Sequence, residues 1–175
     1  MLLEQLSRSL GDRVATTSVL IVDDGSLPPL DASATESAGL SGSIISLKRN
    51  VGHQRAIAIG ISYAVANQLG QTVVIMDGDG EDSPADVPRL LAAGADAGPM
   101  TVVVGERTKR SEGPLFRIFY QFYRLLFFIL TGKGIRFGNF SAMPVVAARR
   151  LADMSELWFS LPGTILRSRL PIRTL

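Results

Sequence analysis

The sequence contains no cysteine. That excludes a disulfide framework and any thiolate metal site, and it suits a cytosolic setting. Long apolar runs are also missing: the longest, residues 125–130, falls far short of the roughly 20 residues a membrane-spanning helix needs. Residues 1–10 include Glu4 and Arg8 and lack a continuous apolar core, so no signal peptide is expected. Neither sign of charge dominates. Eighteen Lys and Arg against 16 Asp and Glu leave a net charge of +2, too small a balance to point to nucleic acid. Repeats and low-complexity linkers are absent. With 19% charged and 46% hydrophobic residues the chain is not disordered, and its 175 residues fit one domain with a sizeable core.

What is present centres on residues 73–84. Val73-Val74-Ile75-Met76 runs straight into Asp77-Gly78-Asp79-Gly80-Glu81-Asp82. The apolar run reads as a strand buried on both faces. Ser83 and Pro84 then read as the cap and first position of a helix over 84–93. The acids therefore fall at the carboxyl end of a strand, where open α/β sheets bind their ligands. Carboxylates this close repel one another and call for a cation. A hard divalent ion such as Mg²⁺, held by one or two carboxylates and substrate phosphates, meets that need. A solvated acidic turn is the plainer reading of the same residues.

The pattern recurs along the chain. Leucines at 2, 3, 6 and 10 have helical spacing, closed by Gly11. Val19-Leu20-Ile21-Val22 forms a second strand run, ending in Asp23-Asp24-Gly25-Ser26. A third run, 44–47, exits into Lys48-Arg49-Asn50-Val51-Gly52-His53, and a small-faced helix over 54–69 follows, closed by Gly70. A fourth, 101–104, leads into Gly105-Glu106-Arg107-Thr108-Lys109-Arg110. Strands alternating with helices predict an α/β fold: a mostly parallel, Rossmann-like sheet with helices on both faces. A turn leading into a short strand within 132–141 and helices near 145–154 and 156–167 complete the reading.

Two acid pairs, Asp23/Asp24 and Asp77/Asp79, end separate strands on one expected sheet edge. Arg49 and Arg55 flank the exit of the third strand, and Arg107, Lys109 and Arg110 follow the fourth. Acids with a metal on one side and arginines on the other make a clamp for a diphosphate. Gly52 permits close backbone approach, and the following helix offers free N–H groups to an anion. Singly, each Arg reads as a solvated surface residue. His53, the only histidine, reads as a turn or helix-start residue sooner than as a general base, and Asn139 as the holder of a left-handed turn. Residues 115–130 carry Phe116, Phe119, Tyr120, Phe122, Tyr123, Phe127 and Phe128 with a narrow polar stripe. That pattern suits either a core helix or one lying in a membrane interface.

The ordered set Val22-Asp23-Asp24-Gly25-Ser26, Arg49-Asn50-Val51-Gly52, Ala58-Ile59-Gly60, Asp77-Gly78-Asp79 and Gly105-Glu106-Arg107 resembles the family-two glycosyltransferases of GT-A fold. The closest branch is the polyprenyl- or dolichyl-phosphate sugar transferases, and the likeness covers about residues 15–145. It implies a UDP- or GDP-sugar donor, Mg²⁺ or Mn²⁺, and inverting transfer to a lipid phosphate at the inner face of the cytoplasmic membrane. By analogy, Asp23 and Asp24 sit by the base and ribose, with Asn50 and Gly52 in the same substrate-binding set. Asp77 faces the ribose or diphosphate, Asp79 ligates the metal, and Arg55 and Arg107 lie near the phosphates, with Arg110 also in the substrate-binding set. Asp77 and Asp79 are the expected catalytic pair, and the aromatic stretch at 115–130 takes the place of an interfacial helix. The chain departs from the family in lacking the apolar first strand and its Pro-x-Tyr-Asn-Glu-like turn. It also has no carboxylate where that branch shows Asp before Gly-Phe-Arg. A single incomplete domain over 1–175, truncated at both ends, is therefore expected. The alternative is an inactive domain of this type that binds nucleotide weakly or serves as a partner surface.

Overall fold

Val102, Val103 and Val104 are wholly shielded from solvent, and their alternation across the pleat organises the layers around them. Val102 and Val104 pack in one core with Ala58, Ile61, Met143, Leu151, Leu161 and Ile165. Val103 packs in another, with Leu90, Ala93 and Ala142. A strand apolar on both faces has gathered helices on both sides, because neither face is stable against water. The computed structural model describes residues 2–31, 33–106 and 137–175. The aromatic segment 115–130, Arg107 and Arg110 lie outside the described residues.

Strands β1 (Ser18–Asp23) and β2 (Ser41–Ser46) pair in parallel, from Ser18 opposite Ser41 to Asp23 opposite Ser46. The short helix α2 (Ala34–Ser37) lies in the crossover between them. A second sheet has the order β3-β5-β4-β6, built from β3 (Thr72–Ile75), β4 (Val102–Glu106), β5 (Phe137–Pro144) and β6 (Ile172–Thr174). β6 runs parallel to β4, whereas β5 is antiparallel to both β3 and β4, so β3, β4 and β6 share one direction. Helices α1 (Leu2–Leu10) and α4 (Val87–Ala95) cover one face of this sheet. Helices α3 (His53–Ala66), α5 (Val145–Ala152) and α6 (Leu161–Ser168) cover the other. Helix α3 also lies flat on β1, where a side chain at Gly60 would come within 3.0 Å of Val22. Among the described residues no helix is long and apolar enough to cross a membrane.

This is the α/β layering expected from the alternating pattern, and the differences from expectation have local causes. The short strand expected within 132–141 is the eight-residue β5, inserted antiparallel between β3 and β4. Asn139 lies in that strand and not in a left-handed turn. The chain after the acidic run does not enter an α-helix at Pro84. It makes a 3-10 turn over Pro84–Asp86, Ser83 makes no side-chain cap, and α4 starts only at Val87. Pro88 has no N–H to donate to the carbonyl of Pro84, so an α-helical ladder cannot begin there. Helix α3 ends before Gly70. Gln68 takes the left-handed conformation (φ 53°), and Leu69 N–H and Gln68 N–H return to the carbonyls of Ala64 and Val65, which closes the helix in a Schellman arrangement. β6 was not foreseen, because its residues are exposed and carry no apolar run.

The turn after β1 is held on both sides. Asp23 is buried, and its carboxylate accepts from the backbone N–H groups of Ser26 (3.0 Å) and Leu30 (3.2 Å). Hydrogen bonds from Ser26 hold its pKa below the ordinary carboxylate value, with burial partly opposing. Gly25 (φ 81°) is forced: a Cβ there would lie 2.8 Å from the Asn50 nitrogen and 2.9 Å from the Arg49 carbonyl carbon. The turn therefore presses against the loop that launches α3.

Gly25→Ala should destabilise the protein by about 2 kcal/mol more than Gly11→Ala, the scale of a forced overpacking. Both glycines have positive φ, but a Cβ at Gly11 meets nothing within 4 Å, so urea unfolding of the pair isolates the collision. Equal losses would remove the close approach from the account. For Asp23, the depressed pKa means that its contribution is complete above the unfolded value of about 3.9. It is lost as pH falls toward the lower folded value. Unfolding free energy should therefore drop below about pH 4 in the wild type and drop less steeply in Asp23→Asn; parallel pH profiles for the two proteins would contradict this.

Candidate functional site

The chain leaves β3 into a turn that its own carboxylates organise. Asp82 Oδ2 accepts from the Asp77 N–H at 2.8 Å, and Asp79 Oδ1 accepts from the Glu81 N–H at 2.8 Å. Asp and Asn residues favour such short-range bonds to the backbone, and Gly80 supplies the positive φ (83°) the reversal requires. Asp77 is left half-buried, while Asp79 and Glu81 are exposed.

The start of α3 stands between the two acidic turns. Asp24 receives the Val51 N–H at 2.7 Å on Oδ1 and the Gly52 N–H at 2.9 Å on Oδ2. The neighbouring residue, His53, places Nε2 3.3 Å from Asp77 Oδ1. Successive residues of one helix start thus touch the two acid pairs, which fixes both turns at one end of that helix. Two backbone N–H groups near a helix N-terminus suit a carboxylate.

β5 brings a third component. Asn139 Nδ2 lies 3.2 Å from Asp77 Oδ2 and 2.9 Å from His53 Nε2, and Asn139 Oδ1 accepts from Gln54 Nε2 at 3.1 Å. Gln54 Oε1 in turn accepts from the Leu161 N–H at 2.9 Å. That N–H belongs to the first turn of α6, where helix donors lack partners in the ladder. Ser160 caps the same turn, its hydroxyl accepting from the Gly163 N–H at 3.1 Å.

These elements enclose a cavity of about 460 Å³. His53 and Gln54 from α3, the acids Asp77, Asp79 and Glu81, Phe137 to Asn139 of β5, and Ser160 and Pro162 at the head of α6 line it. Its charged lining among the described residues is three carboxylates with one imidazole, and no described Lys or Arg joins them.

Of the residues singled out in the sequence, Asp77 and Asp79 line this cavity. Asp23, Asp24, Asn50, Gly52 and Arg55 do not line it. Asp23 and Asp24 spend their oxygens on backbone N–H groups of the 23–30 and 49–52 loops. Asn50 Oδ1 also accepts from the Gly52 N–H, at 3.1 Å. Arg55 is exposed on α3. His53, Gln54 and Asn139 are the additions. His53 does begin the helix, as expected of it, yet the same position puts its ring on Asp77. The available signal was a pair of side chains able to donate and accept, at the first turn of a helix following a strand exit. Asn139 gave less warning, because its partner Asp77 is 62 residues away in sequence.

Comparison with known proteins identifies the family of the chain. Residues 2–158 match the profile of the family described as glycosyl transferase family 2. The chain is 30% identical over 125 residues to dodecaprenyl-phosphate galacturonate synthase of Rhizobium johnstonii, a match covering 65% of this chain and 36% of that protein. It is 33% identical over 102 residues to undecaprenyl-phosphate 4-deoxy-4-formamido-L-arabinose transferase of Klebsiella pneumoniae, covering 57% and 29%. Over 84 residues it is 36% identical to the transferase of the same name from Sodalis glossinidius, covering 46% and 24%. The chain thus spans about a third or less of the length of these curated relatives. With the profile matched over most of its length and the acid turns gathered at the head of α3, the chain belongs to glycosyl transferase family 2.

Proposed function

We propose that the cavity at the head of α3 binds the diphosphate of a nucleotide-sugar donor together with Mg²⁺ or Mn²⁺, for inverting transfer of the sugar to a lipid phosphate at a membrane surface. The observation that carries this reading is the charge of the lining: Asp77, Asp79 and Glu81 converge on a cavity of about 460 Å³ with no described Lys or Arg beside them. A diphosphate approaching such a wall needs positive charge between the two, and a divalent cation supplies it. The relatives named for dodecaprenyl- and undecaprenyl-phosphate products and acceptors support the acceptor class. UDP- and GDP-sugars are the donors to test first.

Asp79, with Asp77 beside it, would hold the ion. No group of three or more His, Asp or Glu among the described residues is gathered to bind a metal alone. The remaining ligands would then be donor phosphates, the usual arrangement for Mg²⁺. When bound, the ion supplies Lewis-acid stabilisation of charge on the departing nucleoside diphosphate. The protein's own part is to hold and orient. Asp77, tied to Asn139 and His53, gives the donor a fixed wall, and the loop of Asn50 and Gly52, gripped by Asp24, offers the side for ribose and base. Arg55 and, beyond the described residues, Arg107 and Arg110 are the proposed phosphate-side cations. An acceptor phosphate oxygen attacks the anomeric carbon as the bond from that carbon to the diphosphate oxygen breaks, and the electron pair leaves with the diphosphate. The acceptor is already ionised, so no strong general base is required.

Calorimetry with UDP- and GDP-sugars provides the test. Mn²⁺ alone should bind weakly, and one donor should bind at least about tenfold more tightly with Mn²⁺ than without it, a gain of about 1.4 kcal/mol. Asp79→Ala should abolish that gain and leave the unfolding free energy within about 0.5 kcal/mol of wild type. A wild-type protein indifferent to every donor, with or without Mn²⁺, would overturn the proposal; normal metal-dependent binding by Asp79→Ala would overturn the ligand assignment.

A further inference from the structure

We propose that the facing edges of β1 and β3 form a slot for one apolar strand, joined to the chain ahead of α1, that unites the two sheets into one. The slot is independent of the donor reading above, and either can fail alone.

The two edges carry backbone groups left without partners. Leu47 N–H donates to the Asp23 carbonyl. With the register of the pair, this turns the N–H and C=O groups of Val19, Ile21 and Asp23 toward β2 and those of Leu20 and Val22 away from it. On β3, Val145 N–H donates to the Gln71 carbonyl. Val73 and Ile75 therefore face β5, opposite Met143 and Ser141, while Thr72 and Val74 turn their backbone groups outward. Among the described residues, the outward groups of Leu20, Val22, Thr72 and Val74 pair with nothing. Leu20, Val22 and Val74 are nonetheless half-buried, where an unpaired N–H or C=O is costly.

The same two helices cover both edges. On one face α3 sets Gly60 against Val22 and shares a core with Ile75 through Ala58 and Ile61. On the other face Val19 and Val74 pack in one cluster with Leu6 and Leu10 of α1. β1 and β3 also run in one direction, since Asp24 and Asp77, just past their carboxyl ends, both meet the head of α3. They are not bonded to each other. Strands stand about 4.8 Å apart in a sheet, so two that flank a third stand about 10 Å apart, a width that one helix still covers.

The cover dictates the occupant. Helices on both faces call for apolar side chains on both faces of the strand, the pattern already seen at Val102 to Val104. α1 lies on this layer and leads through residues 11–17 into β1. A strand joined ahead of α1 completes a strand–helix–strand unit, whose parallel, right-handed crossover is the usual one.

Amide exchange in the 175-residue chain reads the edges first. Val19 and Ile21 should be protected while Leu20 and Val22 exchange at least about tenfold faster, and Val73 and Ile75 should likewise be slower than Thr72 and Val74. An extension of about six Val and Ile residues with a short Gly-Asn turn is then placed ahead of Leu2. It should slow the amides of Leu20, Val22, Thr72 and Val74 about a hundredfold in a monomer. The same extension with two central prolines keeps an apolar surface but cannot pair, and should leave all four fast. Protection of those four amides in the unextended chain, or fast exchange beneath the Val/Ile extension, would overturn the proposal. Equal protection by the Val/Ile segment added as a separate equimolar peptide would also overturn it, by assigning the slot to a partner chain. If the extended chain aggregates, the alternation in the unextended chain decides alone.

Discussion

The carboxylate of Asp24 accepts the N–H groups of Val51 and Gly52, and the geometry of the site depends on that pair of bonds. They join the exit of β1 to the two residues that precede α3. Charge-assisted bonds of this kind are stronger than those between neutral groups, and at a helix start they also complement the exposed N–H groups. The contact is possible only because Gly25 lets the turn lie against the Arg49 and Asn50 backbone. Once α3 is placed, its next residues, His53 and Gln54, are delivered to Asp77 and to the first turn of α6. One carboxylate thus orients a helix, and the helix orients the cavity wall.

The cavity that results differs in kind from the core beneath it. The core is shielded and apolar, with Val102 to Val104, Leu151, Leu161 and Ile165 essentially without solvent contact. Above it lies a wall of carboxylates and amides. The amides form a directional chain from Leu161 to Asp77, while Asp79 and Glu81 are exposed residues. Rigid scaffolding under an exposed acidic rim suits a site that receives a phosphate ligand with its counter-cation: the rim carries the charge, and the amide chain holds it in place. Membership of glycosyl transferase family 2 fits the reading proposed for this wall.

Much of this was legible in the sequence because it is written in local patterns. The apolar runs at 19–22, 73–76 and 101–104 became strands, and the acids at their ends fell at strand exits as expected. What the sequence hid was pairing. Nothing in Phe137-Gly138-Asn139-Phe140-Ser141 announces an antiparallel strand between two others, since direction is decided by which edges meet in three dimensions. The roles of Asp23 and Asp24 were similarly concealed. A carboxylate after a strand looks the same in sequence whether or not it also satisfies backbone N–H groups, and here both grip loops. His53 and Gln54 were visible as a helix start, but their partners lie on β5 and α6, far along the chain.

Native-state amide hydrogen exchange at Val51 and Gly52 tests the central constraint most directly. Both residues precede α3, where exposed loop amides would ordinarily exchange quickly. The account predicts strong protection at both amides in the wild type and its loss in Asp24→Ala, with the amide of Val103 in the core unchanged. Rapid exchange at Val51 and Gly52 in the wild type, or protection that survives in Asp24→Ala, would contradict it.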